Sequence, residues 1–311
     1  MVLTAAFAVS CVAADAAGTE KEHIMTDGSV YTGAMRFGKP DGSGKTVFMN
    51  GDIYEGLYKK GRQKGVGICH YANGDIYLGK WNDGRFDGEG AYLWNDGSHY
   101  SGFWSDGQRN GGGSMQWSDG SSYKGNWSEG KFNGTGRFDS RAYSYSGEWK
   151  NGKENGKGEC RFESGDVYEG QFSNGRIEGK GKYCYADGSV YEGAVMDGMA
   201  HGQGCFNWSD GSVYDGQWEN NTRSGNGTMK WSNGDSYKGS WKNDRPDGKG
   251  ELRLADGSVL VATFVEGQPD GQVTIRQSDG TSLNGHYVNG RRSGSFSLRD
   301  SDGKTIRTIN Y

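Results

Sequence analysis

Apolar and polar positions alternate along this chain in short runs, and the runs recur. Tyr54-Glu55-Gly56-Leu57-Tyr58 shows the pattern, with large residues two and four places apart and a glycine between them. Alternation with a period of two is the signature of a half-buried strand, because successive side chains point to opposite faces. The same run starts at Tyr31, Tyr77, Tyr100, Tyr123, Tyr145, Tyr168, Tyr191, Tyr214 and Tyr237. The steps are 23 residues, with one of 22 between Tyr123 and Tyr145. The frame continues through Leu260 and Leu283, so about twelve units cover the chain from residue 31. With the tyrosine as position 0, glycine stands at 2, a large residue at 4, and Gly-x-Gly at 11 and 13. A second one-sided run lies at 12 to 18, and Asn-Gly or Asp-Gly closes the unit, as in Asn73-Gly74 and Asp210-Gly211.

Each unit predicts a β-hairpin. Asn-Gly and Asp-Gly between strands predict type I′ turns, which need φ > 0 at both central residues. The connection at positions 6 to 10 is also turn-like, as in Asn151-Gly152-Lys153. Positions 0, 2 and 4 share one face, while 1 and 3 carry polar residues such as Glu169, Gln171, Asp215 and Lys238. Tryptophan occupies only two slots, position 4 (Trp81, Trp104, Trp127, Trp149, Trp218, Trp241) and position 17 (Trp94, Trp117, Trp208, Trp231). Helix is disfavoured, since each glycine costs about 1 kcal/mol relative to alanine inside one.

Composition narrows the class. Of 311 residues 57 are glycine and 3 proline, with 13% aromatic and a net charge of −4. Glycine without a three-residue period excludes collagen. Scarce Leu, Ile and Val exclude a large aliphatic α/β core. A near-neutral balance argues against nucleic acid as a partner.

The stretch Tyr168-Glu169-Gly170-Gln171-Phe172, followed by Gly179-x-Gly181 and Asp187-Gly188, resembles the MORN repeat, as does Tyr54-Glu55-Gly56. The resemblance implies an all-β fold, an elongated single-layer antiparallel sheet of stacked β-hairpins with an aromatic groove. It also implies a place in cytoskeletal, ciliary or membrane-junction assemblies. The pattern has departures. Met35 and Val195 replace the aromatic at position 4. The fifth unit is one residue short, with Asp139-Ser140-Arg141-Ala142 in place of its turn, which predicts a local disturbance of register. The last two units lose the tyrosine, and their second glycine becomes Val273 and Phe296, as terminal caps do.

Three segments follow. Residues 1–22 are an apolar N-terminal segment, 23–259 the repeat array, and 260–311 degenerate units that form a cap or a dimerisation end. Residues 1–16 read either as an export signal, with Ala14-Asp15-Ala16 as cleavage site, or as a tail; no Lys or Arg precedes the apolar run. The tail Lys304–Ile309 alternates and offers one more strand. Cys69, Cys160, Cys184 and Cys205 fall on strands of different hairpins, and equivalent strands lie about 9.6 Å apart. That separation predicts free thiols and favours the cytoplasm, to which the family resemblance adds association with the cytoskeleton or a membrane.

Candidate chemistry is sparse. The five histidines share no register, so no catalytic residue, metal site or cofactor is expected, and the chain reads as non-enzymatic. Gly38-Lys39-Pro40-Asp41-Gly42-Ser43-Gly44-Lys45-Thr46 approaches a phosphate-binding loop, but Lys39 stands where the first glycine is needed. A single-layer sheet with one apolar face must bury it, which points to a protein partner. The expected groove for its peptide or helix is lined by Tyr77, Trp81, Tyr100, Trp104, Tyr123, Trp127 and Trp149. The basic cluster Lys59, Lys60, Arg62 and Lys64 leaves two readings open, a contact with anionic phospholipid or a solvated turn. The family resemblance further implies a homodimer joined through the C-terminal units.

Overall fold

The structure, a computed structural model, describes residues 21–311. Residues 1–16, read as signal or tail, lie outside the described residues. Among the described residues there are 26 strands and no helix. The chain forms two compact units that meet in sequence at Gln108 and Arg109.

In the first unit the short strand Glu22–Ile24 pairs with Val30–Arg36. The ladder then runs through Lys39–Val47, Ile53–Lys59, Arg62–His70, Ile76–Asn82, Arg85–Leu93 and His99–Ser105, each antiparallel to the next. The second unit repeats the arrangement from Gln108–Gln116 to Thr305–Asn310. Within each unit the sheet is a single layer of consecutive hairpins. The alternating tail does form a strand, Thr305–Asn310, beside Arg291–Arg299.

The tight turns are not where the dipeptides placed them. Lys59 pairs directly with Arg62, which leaves Lys60 and Gly61 as the whole loop, with φ of 51° and 85°. The same two positions are left-handed in Asp83-Gly84 and Asn220-Asn221, so the type I′ turn sits at positions 6 and 7. At Asn73-Gly74 only the glycine is left-handed, with φ of 94°. The Gly74 N–H donates to the Tyr71 carbonyl at 2.9 Å, and the Tyr71 N–H donates to the Asp75 carbonyl at 2.9 Å. This is a wider five-residue connection. The Asn73 side chain causes it by accepting from the Asp75 N–H at 3.0 Å, a local bond that holds the asparagine in a right-handed turn.

The Gly-x-Gly motif has two separate tasks. Gly56 pairs with Gly67 but Tyr58 pairs with Gln63, so the second strand carries extra residues at a bulge. Gly65 occupies that bulge with φ of 76°. Gly67 has ordinary strand geometry and is needed for space instead.

The short fifth unit does not disturb the register. Gly125 pairs with Gly136, Gly136 with Gly147 and Gly147 with Gly158, as in the other units. The missing residue is taken from the loop alone. Ser140 closes it, with its N–H and its Oγ both bonded to the Tyr143 carbonyl at 3.0 and 2.9 Å.

Candidate interaction surface

The tyrosine at position 0 lies flat on two glycines. A Cβ on Gly56 would come within 2.5 Å of the Tyr54 hydroxyl oxygen, and one on Gly67 would overlap the same ring. The hydroxyl then donates to the carbonyl at position 3, as Tyr54 to Leu57 at 3.1 Å and Tyr77 to Lys80 at 2.9 Å. The position-4 tryptophan stands edge-on against it, with Tyr77 and Trp81 ring centres 5.2 Å apart at 89°. Its indole N–H reaches back to the glycine carbonyl of the preceding unit, as Trp81 to Gly67 at 3.2 Å and Trp218 to Gly204 at 2.9 Å. Each ring also meets the next unit, with Tyr77 5.7 Å from Trp104 and Tyr123 5.5 Å from Trp149.

This interlocking decides what is accessible. Tyr77, Trp81, Tyr100, Trp104, Tyr123, Trp127 and Trp149, expected to line an open groove, are all buried, and the most exposed of them, Trp104, reaches only 8%. The paired glycines let the rings lie down on the backbone and close over one another. Burial pushes the Tyr123 and Tyr214 hydroxyls up to about 12.

The reachable aromatics form a different row, at position 17. In the first unit these are Phe48, Tyr71 and Trp94. In the second they are Trp117, Phe162, Tyr185, Trp208 and Trp231, all half-buried except the more exposed Tyr185. They climb onto the position-15 rings like steps, with Tyr92 4.6 Å from Trp94, Tyr183 4.5 Å from Tyr185 and Phe206 4.6 Å from Trp208. The tryptophan count marked position 17 as a slot, yet that row was absent from the expected site. The available signal was the lack of a glycine pair beneath it and its place at a strand end.

Beside this row each loop carries a carboxylate. Asn73 is followed by Asp75 and Asn233 by Asp235, whereas Asp96 is followed by Ser98 and Asp210 by Ser212. Where the acid stands last it ties its loop to the next one, as Asp75 accepts from the Asn95 N–H at 2.9 Å and Asp235 from the Ala255 N–H at 2.8 Å. Where serine stands there its hydroxyl does so, as Ser212 accepts from the Ser232 N–H at 3.1 Å. Hydrogen bonds from Ser29 hold the Asp27 carboxyl below the usual range, and the Ser212 backbone and hydroxyl do the same for Asp210.

The basic cluster lies at a tight turn on the opposite edge and is partly engaged. Lys59 pairs with Asp41 at 3.2 Å and Lys64 donates to Asn82 at 2.6 Å, while Lys60 and Arg62 are exposed. The equivalent turns carry ion pairs too, Arg85 with Asp106 at 3.1 Å in the same unit and Arg176 with Asp197 at 2.7 Å in the other. Among the described residues no three His, Cys, Asp or Glu side chains gather as a metal site. Cys69, Cys160, Cys184 and Cys205 are free thiols, and burial pushes the Cys160 thiol up to about 11. No helix among the described residues is long and apolar enough to cross a membrane.

The sequence model of the MORN repeat matches residues 31–53, 54–76, 77–99, 100–122, 123–142, 145–167, 168–190, 191–213, 214–236 and 237–259. Ten units are matched where about twelve were expected. The frames from Leu260 and Leu283 fold as hairpins but lack the tyrosine and the glycine at position 13. No curated protein matches the chain. Among solved structures, the chain is similar to the TCP domain of SAS-4 (dCPAP) of Drosophila melanogaster in complex with a proline-rich motif of Ana2 (dSTIL). The identity is 14%, over 50% of this chain and 85% of that one, with a TM-score of 0.34. It is also similar to the TCP10 domain of Danio rerio CPAP in complex with a STIL peptide, at 14% identity over 94% of this chain and 100% of that one, with a TM-score of 0.23.

Proposed function

The chain belongs to the MORN-repeat family, and we propose that it is a non-enzymatic scaffold that binds a protein partner along the aromatic row at position 17. The observation that carries this reading is the half-exposed row itself, Phe48, Tyr71 and Trp94 in one unit and Trp117, Phe162, Tyr185, Trp208 and Trp231 in the other. Exposed apolar surface marks interaction sites, and tryptophan and tyrosine are the usual anchors of interfaces. Within each unit the position-15 rings packed against the row, such as Tyr92 on Trp94 and Phe206 on Trp208, order it before a partner arrives, which lowers the entropy cost of binding.

Two further assignments stand as proposals beside it. The strand Thr305–Asn310 has a free outer edge in its unit, with Ile306 58% exposed, and edge pairing between two copies would give the homodimer. A contact between Lys60 or Arg62 and anionic phospholipid has less support, because Lys59 and Lys64 are already engaged. Attachment to cytoskeletal or membrane-associated assemblies belongs to the same proposal.

Replacing Trp94, Trp117, Trp208 and Trp231 together by alanine is expected to weaken a partner recovered with the full chain by at least about tenfold. The melting temperature should fall by only a few degrees. Trp104→Ala, in the buried layer, is expected to lower stability by about 3 kcal/mol or more. Calorimetric titration of the purified partner, with thermal melts of both variants, measures this. Undiminished affinity in the folded fourfold variant would remove the row from the function.

A further inference from the structure

Position 9 fills a recurring slot on the aromatic face, against the position-4 ring of the following unit. Phe86 fills it beside Trp104 at 5.1 Å, and Phe132 beside Trp149 at 5.0 Å. Arginine fills it as well. The Arg109 guanidinium lies 4.3 Å from the centre of Trp127, and that of Arg223 lies 4.6 Å from the centre of Trp241. Arg223 also reaches Met229 at position 15 at 3.8 Å and pairs with Asp244 at 2.9 Å. Within this chain, the slot therefore accepts a guanidinium that stacks on an indole, meeting a carboxylate at Arg223 and the Gly130 carbonyl at Arg109.

At Gln63 the corresponding slot, against Trp81, stays open. The Gln63 amide extends toward the adjoining turn, where a Cβ on Gly84 would lie 3.1 Å from its Oε1. Position 15 is the small Cys69, where the Arg223 slot has Met229. A cavity of about 400 Å³ results, walled by Phe48, Tyr71 and Trp81, with Asp27 and Asp52 among its lining residues. Asp27 is held ionised by Ser29. Asp52 accepts from the Ala72 N–H and from the Asn50 amide, which leaves acceptor capacity on both oxygens.

We propose that this cavity receives an arginine side chain from the protein partner; the proposal rests on reading the aromatic face as the partner surface. Arginine fits better than lysine. Its planar group stacks on an aromatic ring and also forks onto carboxylates, and three aromatic residues and two acidic ones line the cavity. The cavity lies where the other units hold Arg109 and Arg223, but Gly84 stands where the Arg223 slot has Asp244, and Asp27 and Asp52 supply the carboxylates from the loops instead.

The test titrates the tripeptide N-acetyl-Gly-Arg-Gly-amide into the full chain and follows the indole N–H signal of Trp81 by NMR, assigned by its loss in Trp81→Phe. A saturable shift is expected. The citrulline peptide, which keeps the shape and loses the charge, should bind about tenfold more weakly, and so should the lysine peptide. Gln63→Arg places the chain's own guanidinium in the slot, as at Arg109 and Arg223, and should abolish the shift. Equal binding of the citrulline or lysine peptide, or undiminished binding to Gln63→Arg, would overturn the assignment. The two readings fail separately. A silent Trp81 with partner binding still lost in the fourfold tryptophan variant sinks only the slot. A responsive Trp81 with partner binding intact in that variant sinks only the row.

Discussion

Gly136→Ala is expected to destabilise the chain by about 3 kcal/mol, more than any surface substitution. The Tyr123 ring lies on Gly125 and Gly136, and a Cβ at residue 136 would come within 2.5 Å of its Cζ. The ring cannot step aside. Phe132 stacks on it at 3.7 Å, Trp127 and Trp149 stand edge-on at 5.2 and 5.5 Å, and its hydroxyl donates to Asn126 at 2.9 Å. Overpacking a core costs about 1–3 kcal/mol, and losing the buried hydroxyl bond adds about 1 kcal/mol. Thr135→Ala, one residue away on the opposite face, should stay within about 0.5 kcal/mol of the parent. The unit that starts at Leu260 shows how the clash is avoided. It replaces all three partners together, with Leu260, Ala262 and Val273 where other units have Tyr, Gly and Gly, and Ala262 and Val273 are both buried. Tyr123→Leu with Gly125→Ala and Gly136→Val should therefore recover part of the loss. Denaturant unfolding of the four proteins decides it, and a Gly136→Ala midpoint equal to the parent's would refute the packing argument.

That triad also shows why part of the molecule was legible and part was not. Period-two alternation recurring every 23 residues is enough to place the strands, the hairpins and the apolar face, because side-chain parity needs no tertiary information. Depth is a different quantity. Whether Trp104 stands up from the sheet or lies within it depends on which glycines oppose it across strands. That pairing runs through the bulge at position 11, which shifts the register between positions 2 and 4. Parity cannot show this shift, so the tyrosines and tryptophans looked like a groove lining when they are the core. The turns were misassigned for a related reason. Asn73-Gly74 has the dipeptide of a type I′ turn, but the Asn73 side chain is engaged by the Asp75 N–H, and a dipeptide count does not register that bond. The slot at Gln63 was hidden in the same way. It emerges only when position 9 is compared across units with its neighbours in place.

Alkaline pH is expected to unfold the protein between about pH 10 and 12, with a midpoint near pH 11. Burial is the largest cause in every shifted tyrosine of the buried row, and it pushes Tyr123, Tyr191, Tyr214 and Tyr237 up to about 12. Tyr54, Tyr77, Tyr145 and Tyr168 are raised as well. In the unfolded chain a tyrosine titrates near 10, so between the two values the folded state holds protons that the unfolded state has released. The stability from these groups is thus fully present below about pH 10 and is lost as pH rises toward the folded value. The slope per tyrosine approaches about 1.4 kcal/mol per pH unit once the unfolded tyrosine has ionised, so the four at about 12 remove roughly 4 kcal/mol between pH 10 and 11. That is of the order of a whole domain's stability. Tyrosinate absorbance and the loss of β circular dichroism should therefore rise together as one transition. Tyr123→Phe gives a second reading. It should cost about 1 kcal/mol at neutral pH, where the bond to Asn126 is lost, and progressively less above pH 10, where the parent tyrosine becomes a liability. Tyrosinate formed near pH 10 with the circular dichroism intact would mean that these rings are open to water, and the buried tyrosine row would have to be abandoned.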